Sequence, residues 1–426
     1  MRVLIISHNV FSRTGNMGKT LRSYFEQFRP EELAQFYIHS EVPTDDSVCV
    51  DYYRFTDRDA LRSLIPGRTC GKQFRRDEIQ VGRARSRTDS GVTGAVYQFG
   101  RKRTAGIFAA RNALWKLARW NTKQFRDWLD GFDPDVIFFA AGDYSFAYDI
   151  ALAAADHTGK PLVVLCVDDF YLHNRNENTA LGRLTHRMFM KKVRRTMDRA
   201  RELYVISGSM KREYEKLFGK PCRVLHTPAQ EKEVPAGEPA QLSYIGNLGL
   251  KRHLQLIRMG RALKDLEEPG CPRWIDVYSG ERNPEILKTL TEENGIRFHG
   301  MIAPEQVLDV MGRSMAVIHT ESFDADIVPV VRFSVSTKIA ESLMYGPCLI
   351  AFGPEGIASV DYLKENEAAY VISDPAKLRA GLGQILTDEG LRQRIRENAR
   401  ALAKKNHDAD INSGNVRSWL EDVIRQ

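Results

Sequence analysis

Short, unbroken apolar runs recur along the chain, each followed by a polar or glycine-containing loop and then an amphipathic stretch. V-L-I-I-S at residues 3–7, V-I-F-F-A-A at 136–141, L-V-V-L-C at 162–166 and C-L-I-A-F at 348–352 are continuous rather than alternating. That is the pattern of strands buried on both faces, as in a parallel sheet covered by helices. The rhythm is broken once, at residues 228–240, P-A-Q-E-K-E-V-P-A-G-E-P-A, which has three prolines and no apolar periodicity. Such a stretch predicts a linker. At 426 residues the chain exceeds what one hydrophobic core usually supports. Two α/β domains are therefore expected, residues 1–228 and 241–411, with a terminal helix over 412–426 able to pack on either. They would face each other across a cleft lined by strand C-terminal ends, where ligands of such sheets bind.

In the first half, residues 1–9 predict a strand and residues 19–28 a helix, with a glycine-containing loop between. T-G-N-M-G-K-T imitates a phosphate-binding P-loop, but Arg13 stands where that motif needs glycine. Gly15, Asn16 and Gly18 are read instead as letting backbone approach a ligand at a helix N-terminus, or as a plain tight turn. Strands are expected at 36–40 and 47–53, a long loop or insertion over the arginine-rich residues 62–103, and one helix over 104–129. Helices at 184–203 and 209–218 and short strands at 203–207 and 223–226 complete the half. The strand ending V-D-D-F-Y places Asp168 and Asp169 at a strand end, to orient a ligand or to cap the loop.

The second half restarts the alternation with strands at 241–245, 274–278, 296–299, 316–319 and 348–352. Helices are expected at 254–266, 285–294, 305–312, 337–345 and from 375 onward. Three loops carry groups suited to a ligand with both phosphates and hydroxyls. Gly246 and Asn247 open a loop that ends in the cations Lys251 and Arg252. Glu321, Ser322 and Asp324 follow another strand. In S-T-K-I-A-E-S-L-M-Y-G-P, Thr337 opens a helix on which Lys338 and Glu341 are three residues apart and share a face.

A net charge of +7 conceals a strong asymmetry: residues 68–126 hold 15 Lys and Arg against 3 Asp and Glu, so the remainder is acidic. Basic residues interleaved with Trp, Phe and Leu suit an anionic membrane surface or nucleic acid. The six cysteines are scattered without a C-x-x-C pair, which predicts reduced thiols of a cytoplasmic protein and no metal site. The opening apolar run is too short for a secretory signal.

Y-I-G-N-L-G-L-K-R, I-R-F-H-G-M-I, H-T-E-S-F-D and S-T-K-I-A-E-S-L-M-Y-G-P-C-L-I-A-F-G-P together resemble the donor-binding half of GT-B glycosyltransferases of family 4, of the bacterial surface-polysaccharide type. The likeness runs over residues 242–363. It implies a GT-B fold of two Rossmann-like domains, the first binding acceptor and the second a nucleoside-diphosphate sugar. It implies a retaining, metal-independent transferase with a UDP- or GDP-type donor as substrate and no further cofactor, acting on a glycan or lipid-linked acceptor at the inner face of the membrane. Carried onto this sequence, Lys251, Arg252 and Lys338 would hold the diphosphate, Glu341 the ribose hydroxyls, and Glu321 would lie near the sugar. The chain departs from the family at Asn247, where Arg is common, in the long spacing between Glu321 and Glu341, and at Asp168-Asp169, where His-Asp is common. A GT-B sugar-nucleotide epimerase and a nucleic-acid-binding protein using residues 68–126 are the alternatives.

Overall fold

A computed structural model describes residues 1–13, 16–79, 105–173, 179–235, 237, 239–266 and 268–426. The chain divides into two compact units, one formed by Met1–Leu225 with Asn412–Gln426, the other by His226–Ile411.

The first unit is built on an eight-stranded sheet in the order β4-β3-β2-β1-β5-β6-β7-β8. Its strands are β1 (Val3–Ser7), β2 (Leu33–Tyr37), β3 (Asp51–Arg54), β4 (Lys72–Phe74), β5 (Val136–Ala141), β6 (Leu162–Cys166), β7 (Glu202–Val205) and β8 (Cys222–Val224). All neighbours pair in parallel except β3 and β4. The apolar runs of β1, β5 and β6 lie in the middle of the sheet and are buried on both faces. Val416, Leu420 and Val423 of the terminal helix Ala409–Arg425 join this core beside Val3, Leu33 and Tyr204.

The second unit carries a six-stranded, wholly parallel sheet in the order β11-β10-β9-β12-β13-β14. Its strands are β9 (Gln241–Ile245), β10 (Ile275–Tyr278), β11 (Ile296–Gly300), β12 (Ser314–Thr320), β13 (Cys348–Phe352) and β14 (Tyr370–Ile372). Helices Arg252–Lys264, Gln306–Arg313, Thr337–Tyr345, Leu378–Thr387 and Glu389–Asn406 cover it. Both sheets reverse strand order at an internal point, between β1 and β5 in the first and between β9 and β12 in the second. In parallel α/β sheets the crevice at such a reversal is where ligands bind.

Three expectations need correction. The single helix expected over 104–129 is two, Ala105–Leu117 and Lys123–Phe132, because Thr122 turns out of helical geometry and its side chain accepts the Phe125 N–H as an N-cap. The helix expected over 285–294 is only Pro284–Leu287, followed by a short 3-10 turn that Thr291 caps. The segment read as a long loop, 62–103, opens on the end of helix Asp57–Ser63 and contains β4 and a 3-10 turn, Arg76–Glu78, on its described side; residues 80–104 lie outside the described residues. No helix among the described residues is long and apolar enough to cross a membrane.

Candidate functional site

In the second unit the loops after β9 and β12 flank the reversal point, and the residues singled out in the sequence meet there. Strand β9 ends at Ile245. Gly246 is required by close approach, since a Cβ there would lie 2.8 Å from the Tyr244 ring. The Tyr244 hydroxyl donates to the Asn247 carbonyl at 2.6 Å, and the Asn247 side-chain oxygen accepts the Gly249 N–H at 2.6 Å. Asn247, expected in the donor-facing loop, thus uses its side-chain oxygen to shape that loop. Leu250 and Lys251 follow with φ of 57° and 58°, a left-handed conformation costing about 1 kcal/mol for each non-glycine residue. These two strained residues turn the chain so that helix Arg252–Lys264 begins at once, with Arg252 in its first turn.

Beyond β12, Thr320 is paired with Phe352 of β13, and the Glu321 N–H donates to the Phe352 carbonyl at 3.0 Å. This holds Glu321 at the strand end, where its side chain is only 4% exposed. Its carboxylate accepts both arms of the Arg252 guanidinium, from Nε at 3.1 Å and Nη2 at 2.9 Å. His319, on the same strand, is buried; burial lowers its pKa and Arg252 adds to this against Glu321, so the ring is neutral as it meets the Ser359 hydroxyl at 3.0 Å. Ser322 is fully buried and its hydroxyl accepts the Asp324 N–H at 3.2 Å, so it serves the turn. Lys251 is drawn to Asp326 at 3.0 Å and Asp324 at 3.2 Å.

Helix Thr337–Tyr345 supplies the third side. Its N-cap, Ser336, makes no side-chain capping bond, its carbonyl accepts the Ile339 N–H at 3.0 Å, and the first turn holds no acidic residue; Thr337 is exposed there. Lys338 keeps contact with solvent, yet the surrounding protein desolvates its ammonium enough to lower its pKa; Arg252 adds to this by repulsion and Glu341 opposes it. Glu341, half-buried one turn on, is hydrogen-bonded by Tyr345, whose phenol is pushed above its ordinary value by burial and by that carboxylate. Arg252, Glu321, Lys338 and Glu341 therefore form one electrostatic group, with two cations repelling each other.

In the first unit the reversal point is occupied by residues that sequence reasoning passed over. His8, directly after β1, stacks on Tyr144, which follows β5, with ring centroids 4.2 Å apart and planes 9° apart. The Arg111 guanidinium lies 4.5 Å from the centre of the same tyrosine ring and bonds Asp57 at 2.9 Å. Burial, then Arg111 and His39, lower the His8 pKa to about 4. The signal was available, as S-H-N closes the first apolar run. Asp169 proves to be a loop cap: its Oδ1 accepts from the N–H groups of Tyr171 and Leu172 at 3.1 Å and 3.0 Å and from the Tyr214 hydroxyl at 2.9 Å. Asp168 accepts the Asp169 N–H at 3.0 Å. Gly15 and the Asn16 side chain lie outside the described residues. Gly18 is required where it stands, as a Cβ would come 2.3 Å from the Val10 carbonyl.

Comparison with known proteins gives the same answer in both halves. A family model described as Glycosyltransferase Family 4 matches residues 71–230, and one described as glycosyl transferase-like matches residues 258–413, which include Glu321, Lys338 and Glu341. No curated protein matches the sequence. Among solved structures, Anabaena HepE in complex with UDP is 12% identical, over 99% of this chain and 100% of that one, with a TM-score of 0.63. The Escherichia coli trehalose-6-phosphate protein bound with UDP-2-fluoro glucose is 11% identical over 100% and 99%, at 0.62. Sucrose-phosphate synthase from Thermosynechococcus elongatus is 11% identical over 100% and 99%, at 0.60. Matched in each half by a glycosyltransferase model and along its length by the two-domain α/β architecture, the chain belongs to the GT-B glycosyltransferases related to family 4.

Proposed function

We propose that this glycosyltransferase moves a sugar from a nucleoside diphosphate, of the UDP or GDP type, to a hydroxyl of a glycan or lipid-linked acceptor, with retention of configuration, in surface polysaccharide synthesis. The observation that carries the donor reading is the pairing of Arg252 with Glu321 across the reversal point of the second sheet, with Lys338 and Glu341 on helix Thr337–Tyr345 in the same electrostatic group. An anion bound there would be drawn by both cations, and the N-terminus of helix Thr337–Tyr345, with no acidic residue in its first turn, adds its dipole. Glu341 is suited to ribose hydroxyls because a carboxylate accepts two hydrogen bonds from a vicinal diol. The UDP held by HepE supports a nucleotide in this class of fold.

In the reaction the bond between the anomeric carbon and the diphosphate oxygen breaks, and the acceptor oxygen takes its place on the same face. The acceptor proton leaves with the departing diphosphate. Negative charge grows on that leaving group, and Lys338, Arg252 and Lys251 would stabilise it, work that preorganised cations do at little reorganisation cost. Lys251 must first exchange Asp324 and Asp326 for phosphate. Glu321, locked by Arg252, is a fixed negative charge beside the sugar, suited to a transition state with cationic character at the anomeric carbon. The first unit would bind acceptor, with Asp168 and neutral His8 as its polar groups. The basic residues of 68–126 suit a membrane-borne acceptor. Neither family model favours the nucleic-acid alternative.

A thermal-shift series with UDP, GDP, ADP and CMP tests the donor reading, since a ligand of the native state raises stability by mass action. Stabilisation by one nucleoside diphosphate, lost in Lys338→Ala, is the expected result. No shift with any of the four would refute it.

A further inference from the structure

We infer that the exposed face of helix Ala180–Arg199 in the first unit is a docking surface for a bilayer containing anionic lipid, and that it is distinct from the donor site. Leu181, Leu184 and Met188 stand at i, i+3 and i+7 on this helix and share one face. That face points away from the core, with the three side chains 44% to 55% exposed, while Phe189, Val193 and Met197 occupy the buried side. Leu172, in the loop after β6, is also 42% exposed. A row of large apolar side chains turned to water is unfavourable unless something covers it.

Charge indicates the occupant. The helix carries seven Lys and Arg against a single acidic residue, Asp198 in its last turn. Asp149 holds Lys192 and Asp198 holds Arg194, which leaves Arg187, Lys191 and Arg195 exposed along the edge of the apolar row. An apolar stripe edged by cations matches an interface of acyl chains beneath anionic headgroups, whereas a second copy of the helix would set cation against cation. Helix Ala105–Leu117, which carries Arg111 and Lys116 of the basic segment, packs against this one. The helix also follows the loop that Asp169 caps at the end of β6, so a docked bilayer would offer a lipid-borne hydroxyl at the strand ends.

The inference deepens the reading of a lipid-linked acceptor and rests on it for its purpose, but its test is separate. The full chain is sedimented with vesicles of phosphatidylcholine alone, and with phosphatidylcholine in which about a third of the lipid is phosphatidylglycerol. Two double variants accompany it, Leu184→Gln with Met188→Gln and Arg187→Gln with Lys191→Gln. The wild type is expected to bind the anionic vesicles only, less at high salt, and each double variant to lose about tenfold in affinity. Both variants should keep the wild-type melting temperature and the nucleotide-induced thermal shift. The inference is overturned if the wild type ignores anionic vesicles, binds neutral ones equally, or if folded variants bind as well as it does. It is also overturned if Leu184→Gln with Met188→Gln instead dissolves a dimer, or if the basic pair proves to bind RNA in preference to vesicles. Loss of the nucleotide shift in the wild type would refute the donor reading and leave this inference standing.

Discussion

The Arg252 guanidinium grips the Glu321 carboxylate with two hydrogen bonds, at 3.1 Å and 2.9 Å, across the point where the second sheet reverses its strand order. The two residues are 69 positions apart in sequence. The pair ties the loop after β9 to the loop after β12, and so fixes a cation and an anion at the mouth of the crevice. Because Glu321 is almost fully buried, removing its partner strands a charge. Arg252→Ala should therefore cost about 3 kcal/mol of stability or more in addition to nucleotide affinity. Arg252→Ala with Glu321→Gln should recover much of the stability and none of the affinity. Denaturant melts and nucleotide titrations of the three proteins separate the two effects; equal stability of wild type and Arg252→Ala would refute the structural role.

Lys338 and Glu341 share a helix face and are expected to act on different parts of the donor. Lys338→Ala should lower kcat by about 100-fold, the scale of a lost preorganised charge contact. Glu341→Ala should act mainly on donor KM. Near-wild-type turnover in both would refute the assignment.

The lowered pKa of Lys338 has a consequence for binding. A nucleotide diphosphate binds the protonated ammonium, so affinity should fall as pH rises through a midpoint below the ordinary 10.5. Binding in the alkaline range should take up protons, visible as a dependence of calorimetric enthalpy on buffer ionisation. Lys338→Arg, charged throughout, should remove both effects, and their persistence in that variant would place them on another group.

Much of this was legible from residue order. Unbroken apolar runs located β1, β5, β6 and β13 because strands buried on both faces admit nothing else, and the cation and carboxylate of helix Thr337–Tyr345 were visible as a spacing. The pairing of Arg252 with Glu321 was not, since it depends on β9 and β12 becoming neighbours, a property of strand order. Asp169 was readable as a ligand group or as a loop cap, since a carboxylate at a strand end serves either use; the three donors its Oδ1 accepts, which sequence does not reveal, make it a cap of its loop. The helix break at Thr122 was hidden because Trp, Phe and Leu keep helical spacing on either side of it.

His8 binds its proton only at about pH 4 in the folded protein, against about 6.5 for an ordinary histidine. Between these values the unfolded chain carries the extra proton, so stability should decline as pH falls from 6.5 towards 4. Below about 4 this contribution levels off, because both states are then protonated. His8→Gln should flatten that part of the profile in urea melts taken across the range. An unchanged slope would show that His8 is not the group responsible.

The terminal helix returns to the first unit and is held there by charge as well as by its apolar face. Arg417 donates to both oxygens of Glu32, at 3.3 Å and 3.0 Å, and the amino terminus of Met1 meets the same carboxylate at 3.3 Å. Burial pushes the Glu32 carboxyl up, but Arg417, the Arg29 N–H and the amino terminus overcome it and hold it at about 2. That depressed value contributes stability fully present above the ordinary carboxylate pKa and lost as pH falls towards 2. Arg417→Ala removes two charge-assisted bonds and should destabilise the first unit by about 2 kcal/mol at neutral pH. The difference from wild type should shrink in acid as Glu32 takes up its proton. Leu420→Ala, which empties a fully buried position in the same core, should cost about as much or more, with no comparable pH dependence. If the helix contributed only apolar packing, the two variants would show parallel pH profiles, and the Glu32 clamp would be refuted.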